Sequence, residues 1–230
     1  SIRSYNEDEM DVTDYPYTIY ENDKTNQLFF IGRWSIRGTD DLKKISLRTV
    51  QYVKMDNLQN FSYLNNALVV AGNFSDSEII PITPIWTSNW LKDELTFTGM
   101  SVDTAFYYNT ENQQSTSDIR AVWNAGVGII NYRGWGDANG WHKPYFHKES
   151  VYGLNNNKRL PVVFSFVCNT GDFGNDLGIG GLSACFGEVL ITAGSMNKPT
   201  GAAAMVGPSD LDTDTRFNNI MCAVMWDELL

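Results

Sequence analysis

The chain has 230 residues, enough for one large domain or two small ones with a real buried core. Its 43% apolar and 13% aromatic content argues against disorder, and its longest clean apolar stretch, Leu160–Val167, falls far short of the roughly 18 residues a membrane span needs. A net charge of −10 argues against nucleic acid and anionic membrane surfaces as partners; it suits solubility and is also compatible with cationic peptides.

In chain order, residues 1–28 are polar and irregular, with a turn-rich cluster at Asp11, Asp14, Tyr15, Pro16 and Tyr17. Leu28–Gly32 is a short apolar run that reads as a strand. Thr39 reads as an N-cap, with Asp40 and Asp41 in the first turn where carboxylates favour the helix dipole. Leu42, Ile45, Thr49, Val50 and Val53 then share one face at helical spacing. Ala67–Gly72 reads as a buried strand, Pro81 to Leu95 as helical in its later part, and Thr104–Tyr108 as a further strand. Ser117 to Trp123 is a short helix stopped by Gly126, where a C′ glycine belongs. Val127–Tyr132 and Val162–Val167 are strands, followed by the loops Arg133–Trp141 and Cys168–Ala184. Cys185–Ala193 is a helix, Ala202–Gly207 a strand, and the last helix shows Phe217, Ile220, Met221, Val224 and Met225 on one side.

Strands alternating with helices imply an α/β fold with a mainly parallel sheet covered by helices on both faces. Ligands bind outside the carboxyl ends of such strands. The loops beginning at Arg133 and Cys168 both leave carboxyl ends, so adjacent strands would turn Gly136 and Cys168 to one crevice. Of three cysteines, Cys185 and Cys222 sit on apolar helix faces and read as small hydrophobes, whereas Cys168 sits among polar residues and glycines. A free thiol is only about 3% ionised at pH 7 and needs a base or a positive field to act as a nucleophile. By position alone, Cys168 is as well explained by strand-end packing.

Ile-Asn-Tyr-Arg-Gly-Trp-Gly (130–136), Cys-Asn-Thr-Gly-Asp-Phe (168–173), Cys-Phe-Gly-Glu (185–188) and Gly-Ala-Ala-Ala-Met-Val-Gly-Pro-Ser (201–209) resemble the gingipain family of bacterial cysteine peptidases, as do Asp14-Tyr15-Pro16-Tyr17 and Phe30-Ile31-Gly32-Arg33 less specifically. The resemblance implies a caspase-like fold, with residues 1–60 ending a preceding subdomain and supplying a connecting helix, and 61–230 forming the catalytic subdomain. Ser1 is no initiator Met and no signal sequence is present, so the chain reads as an excised piece, cut also at Leu230 inside an apolar helical pattern. The implied function is a secreted or surface-attached cysteine endopeptidase that acts on peptide or protein substrates through a Cys168 thioester. The alternative is an inactive homologue that binds peptides or partner proteins in the same groove.

One departure divides these readings. Trp135 stands where the family carries its catalytic His, and an indole N–H only donates. Trp135 is then a groove residue, and the base must come from elsewhere. His142 and His147 are the only histidines; His142, in the same loop, is the candidate, against a surface or backbone-bonded imidazole. The family pattern assigns the oxyanion donors to the N–H groups of Gly136 and Cys168, and an orienting acid to Asp76, which is equally read as a solvated carboxylate. A zinc set of His142, His147 and Asp137 or Glu149 has no recognised spacing. Ser209–Asp214 resembles the start of an EF-hand but has Thr215 and Met221 where the Gly and Glu belong. No cofactor or metal is expected; an irregular calcium site is carried only by the family likeness. Asp137, Asp172, Asp210 and Asp212 are each candidates for a pocket taking a basic side chain, and each is equally a solvated carboxylate.

Overall fold

Six of the seven residues of the Asn66–Gly72 segment are fully withdrawn from water, as expected of a strand covered on both faces. That strand belongs to a computed structural model describing residues 2–3, 10–20, 23–55, 60–73, 79–108, 114–174, 184–210 and 213–230. The chain opens with two small antiparallel pairs, β1 (Ile2–Arg3) with β2 (Met10–Asp11) and β3 (Ile19–Tyr20) with β4 (Asp23–Gln27). There follow α1 (Thr39–Lys54), β5 (Asn66–Gly72), α2 (Ile79–Phe97), β6 (Ser101–Tyr107), α3 (Thr116–Ala125) and β7 (Ile129–Arg133). A small three-stranded antiparallel unit comes next, β8 (Gly136–Asp137), β9 (Gly140–His142) and β10 (Tyr145–His147). The chain ends with α4 (Lys148–Tyr152), β11 (Val162–Phe166), α5 (Phe186–Thr192), β12 (Ala204–Val206) and α6 (Thr215–Leu229).

β12, β11, β7, β5 and β6 form, in that order, a five-stranded sheet in which every neighbouring pair is parallel. The period-two alternation of β5 divides the core. Leu68 and Val70 join Ile130, Tyr132 and Val163 on one face, under Trp123 of α3, Trp141, Phe146, and Phe186 and Leu190 of α5. Ala67, Val69 and Ala71 face the other way, against Leu91 and Leu95 of α2 and Cys222 and Trp226 of α6. Each fully buried aliphatic or aromatic side chain contributes roughly 1.5–3 kcal/mol. The α/β architecture with a parallel sheet and helices on both faces is therefore as the alternation implied.

Local signals account for the helix ends. Ser115 and Asp118 form a capping box at α3, with the Ser115 N–H donating to Asp118 Oδ2 at 2.7 Å, and Gly126 closes it at φ 108°. At α5, the Glu188 carboxylate accepts the Cys185 N–H at 2.8 Å and also holds Ser35 Oγ at 2.5 Å and Arg37 at 2.9 Å, fastening the segment before α1 to the body.

Three expectations fail. Leu28–Gly32 is not a strand; β3 pairs instead with the polar Asp23–Gln27, and Leu28 to Ile31 lie exposed. A short apolar run becomes a strand only where a neighbour offers a ladder. Thr39 begins α1 rather than capping it; Gly38 is the N-cap, and the inward residues are Ile45 and Arg48 while Val50 and Val53 face outward. The Arg48 guanidinium donates to the carbonyls of Leu190 at 3.0 Å and of Ala193 and Ala202 at 2.6 Å, and so covers the C-terminal end of α5. In α6 the supposed core face points away. Phe217, Ile220, Met221 and Val224 are exposed, whereas Asn218, Cys222 and Trp226 are buried, with only Met225 of the expected set packed on the core. Trp226 Nε1 donates to Asn131 Oδ1 at 2.8 Å, which decides the rotation of the helix.

Candidate active site

The parallel register pairs Arg133 with Phe166, so β7 and β11 end together at one edge of the sheet. The loop after Arg133 and the turn carrying Cys168 therefore leave the same end of the sheet, where ligands of such folds bind. Gly136 measures how close they come. A Cβ there would stand 3.3 Å from the Val167 side chain, adjacent to Cys168, and 2.5 Å from the Gly140 carbonyl oxygen. No larger residue fits without moving the β8–β9 hairpin.

That hairpin is anchored from within. Trp141 is fully buried, stacks on Tyr132 at 4.5 Å and donates its indole N–H to Ser165 Oγ at 2.9 Å. The Tyr132 hydroxyl lies 2.7 Å from the Trp135 carbonyl and 3.0 Å from that of Lys143, which holds the loop over the strand end. The His142 N–H donates to the Trp135 carbonyl at 2.9 Å, making Trp135–His142 a hydrogen-bonded rung. The neighbouring rung, Gly136–Trp141, is then the non-bonded kind, and the ladder leaves the Gly136 N–H unused.

Trp135 is 51% exposed and stands edge-on to the His142 ring at 4.9 Å. His142 Nε2 lies 3.5 Å from Asp137 Oδ2, and its Nδ1 lies 2.9 Å from His147 Nε2. Burial works to raise the Asp137 carboxyl, but contact with His142 and the Asn139 N–H at 2.7 Å outweigh it and leave it at about 2. With that carboxylate ionised, the consistent tautomer carries its proton on His142 Nε2 and accepts the His147 Nε2–H at Nδ1. Burial, then the neighbouring His142, pull His147 below the ordinary imidazole value.

Cys168 is half-buried at the start of its turn. Its sulfur accepts a hydrogen bond from the Thr213 hydroxyl at 3.1 Å, and its S–H donates to the Thr213 carbonyl at 3.7 Å. Burial pushes the thiol up, the Thr213 hydroxyl and backbone oppose that rise, and the field of Asp210 adds to it. Cys185 and Cys222 are buried, and burial pushes both up to about 12, in keeping with their reading as packing residues.

Gly136, Cys168, Trp135 and His142 are thus gathered at one sheet edge, but the partners of the His142 nitrogens are Asp137 and His147, and those of the sulfur belong to Thr213. Asp76 lies outside the described residues, as do residues 211–212 of the EF-hand-like stretch. Among the described residues no group of three His, Cys, Asp or Glu side chains is placed to hold a metal ion. Of the carboxylates that could meet a basic side chain, Asp172 is buried and Asp137 faces His142.

Comparison with known proteins decides the family. The model of peptidase family C25 matches residues 2–229. The chain belongs to that family. It is 28% identical over 215 residues to gingipain R2 of Porphyromonas gingivalis, a match spanning 89% of this chain and 27% of the relative. The crystal structure of the Arg-specific cysteine proteinase gingipain R superposes with a TM-score of 0.75 at 26% identity, covering 94% of this chain and 48% of that one. A further protease structure, at 22% identity and TM-score 0.72, shares the fold. The chain therefore spans about a quarter of the curated relative and half of the solved gingipain R chain.

Within this C25 site, reading the residues alone missed Thr213, Asn218 and the pairing of Asp137 with His142. Asn218 Nδ2 donates to Thr213 Oγ1 at 2.8 Å. The one local signal for the first two is the Asp214 N-cap of α6, which accepts the Arg216 N–H at 2.8 Å and so sets where the helix begins.

Proposed function

We propose that this chain is the Cys168-bearing part of a secreted or surface-attached cysteine endopeptidase, with His142 as acid–base group in place of the family His, whose position Trp135 occupies. The observation that carries it is the meeting of the Gly136 hairpin with the turn of Cys168, with a paired carboxylate and imidazole, Asp137 and His142, on the same hairpin. In this reading the sulfur attacks the scissile carbonyl, and the oxyanion is met by the N–H groups of Gly136 and Cys168. His142 takes up a proton at Nδ1 in exchange for the one the thiol gives up, delivers it to the departing amine as the C–N bond breaks, and water then releases the acyl group from sulfur, its proton returning to the thiolate. Nδ1 is the atom that carries the transferred proton, because Asp137 engages Nε2; to act, His142 exchanges its His147 partner for the reacting groups. Trp135, half exposed beside His142, lines the groove.

A second reading, a peptide-binding homologue without cleavage, is favoured by one observation: Thr213, and no imidazole, is on the sulfur. Cleavage of peptide amides by the wild-type chain and by Cys168→Ala decides between them. Turnover lost in the variant supports the peptidase. Equal peptide binding by both chains with no turnover in either supports the binder.

A further inference from the structure

Two arrangements around Cys168 play no part in the acid–base argument. The first is the relay onto sulfur. Asn218 Nδ2 donates to Thr213 Oγ1 at 2.8 Å, so the hydroxyl has its own proton free for Sγ, 3.1 Å away. Asn218 is buried in α6, which makes the direction of that hydroxyl a property of a helix rather than of a loop.

The second is a cation without a carboxylate. Arg133 is 0% exposed, and among the described residues no Asp or Glu pairs with it. Its guanidinium donates instead to Asn219 Oδ1 at 2.9 and 2.5 Å, to the Thr215 carbonyl at 3.2 Å and, closely, to the Phe166 carbonyl. Phe166 is two residues before Cys168, and Thr215 is two residues after Thr213. The charge is thus clamped between the two segments that hold the sulfur. A buried charge is costly, and an anion forming nearby offsets part of that cost.

We propose that Cys168 works as a thiolate stabilised by the Thr213 hydroxyl, with Asn218 aiming that hydroxyl and Arg133 acting as the buried counter-charge. The groups that favour ionisation of the sulfur are then Thr213 and Arg133 rather than an imidazole, and the work of His142 is confined to the leaving amine. The inference rests on Cys168 being the nucleophile of the site proposed above. Among the described residues, the ionisable groups that act on the sulfur are Tyr132 and Arg133 from β7 and Asp210 from the loop before α6, with the Cys222 thiol of α6 beyond Arg133. Burial and Asp210 oppose the thiolate and leave the resting thiol above its ordinary value; the Thr213 hydroxyl works against that rise, and the buried Arg133 charge favours the anion. Thr213, Asn218 and Arg133 are positioning residues.

The test is the rate of Cys168 alkylation by iodoacetamide against pH, read by mass spectrometry of the Cys168 peptide. An S–C bond forms, iodide leaves, and the thiol proton goes to solvent, so amide cleavage is not involved. Thr213→Val is expected to raise the midpoint by about one to two pH units, slowing alkylation roughly tenfold or more at neutral pH, from the usual strength of a hydrogen bond to a charged group. Thr213→Ser restores the wild-type midpoint, and Asn218→Leu gives a smaller rise. Arg133→Met raises the midpoint, and it lowers the melting temperature as well, because Asn219 Oδ1 and the Phe166 and Thr215 carbonyls lose their donor. Should that variant fail to fold, the Thr213 pair carries the test. Unchanged midpoints in Thr213→Val and Arg133→Met overturn the proposal, as does a rise in His142→Ala equal to that in Thr213→Val. Absence of peptide cleavage with the expected midpoints removes the peptidase reading and leaves this one in place.

Discussion

Replacing His142 by alanine separates the two chemical tasks assigned to the site. In the structure its nitrogens face Asp137 at 3.5 Å and His147 at 2.9 Å, and the sulfur receives the Thr213 hydroxyl at 3.1 Å. Removing the imidazole therefore leaves the donors on sulfur intact. Alkylation of Cys168 should change by no more than about threefold, well inside the roughly 30-fold range that thiol ionisation spans at neutral pH. Peptide-bond cleavage also needs a proton at the leaving nitrogen, a task worth roughly 10²–10⁴-fold, and should fall by that amount. The assay pairs a fluorogenic peptide amide with iodoacetamide on the same preparations. Trp135→His in the His142→Ala background should recover part of the cleavage, since it returns a basic ring to a position 4.9 Å from the lost one. Unchanged cleavage in His142→Ala would refute the assignment of the acid–base role, and a fall of equal size in both assays would refute the division of labour.

Asp137→Asn should destabilise the fold at neutral pH by about 1 kcal/mol, after discounting for partial exposure. Because the folded carboxyl is held at about 2, below its ordinary 3.8, its contribution is complete above about pH 4 and disappears as pH falls toward 2; urea unfolding across that range should show the two proteins converging in acid. Gly136→Ala places a methyl 2.5 Å from the Gly140 carbonyl oxygen and must shift the hairpin, so cleavage should drop by roughly 10²-fold or more while Cys168 alkylation stays near wild type. Comparing the two rates checks it. Arg48→Ala strips donors from the carbonyls of Leu190, Ala193 and Ala202 and should cost about 3 kcal/mol or more, measured by denaturant unfolding, with no effect on the alkylation midpoint.

What could be read from the chain was whatever a residue does by its own chemistry and spacing. β5 and β11 announce themselves because parallel strands covered on both faces need unbroken apolar runs, and α3 because its apolar spacing up to Trp123 is closed by Gly126, a signal that acts within one turn. The place of Cys168 after a buried strand belongs with these, and the adjacency of β7 and β11 then brings the Gly136 hairpin beside its turn. The misreadings share a different cause. α6 is apolar on two sides, and Asn131, far away on β7, chose the Trp226 side by accepting its indole N–H. Arg48 looks like a surface residue until three carbonyls at the end of α5 receive it. His142 had an obvious chemistry but no obvious direction, because its ring is aimed by the hairpin register and by His147. Thr213 lies 45 positions from Cys168 and gains its role only when α6 starts beside the end of β11. A candidate nucleophile can thus be proposed from sequence, whereas the groups around its sulfur are placed by the fold. For this reason the protonation of Cys168 should be sought in Thr213 and Arg133, two residues with no base among them, rather than in the nearest histidine.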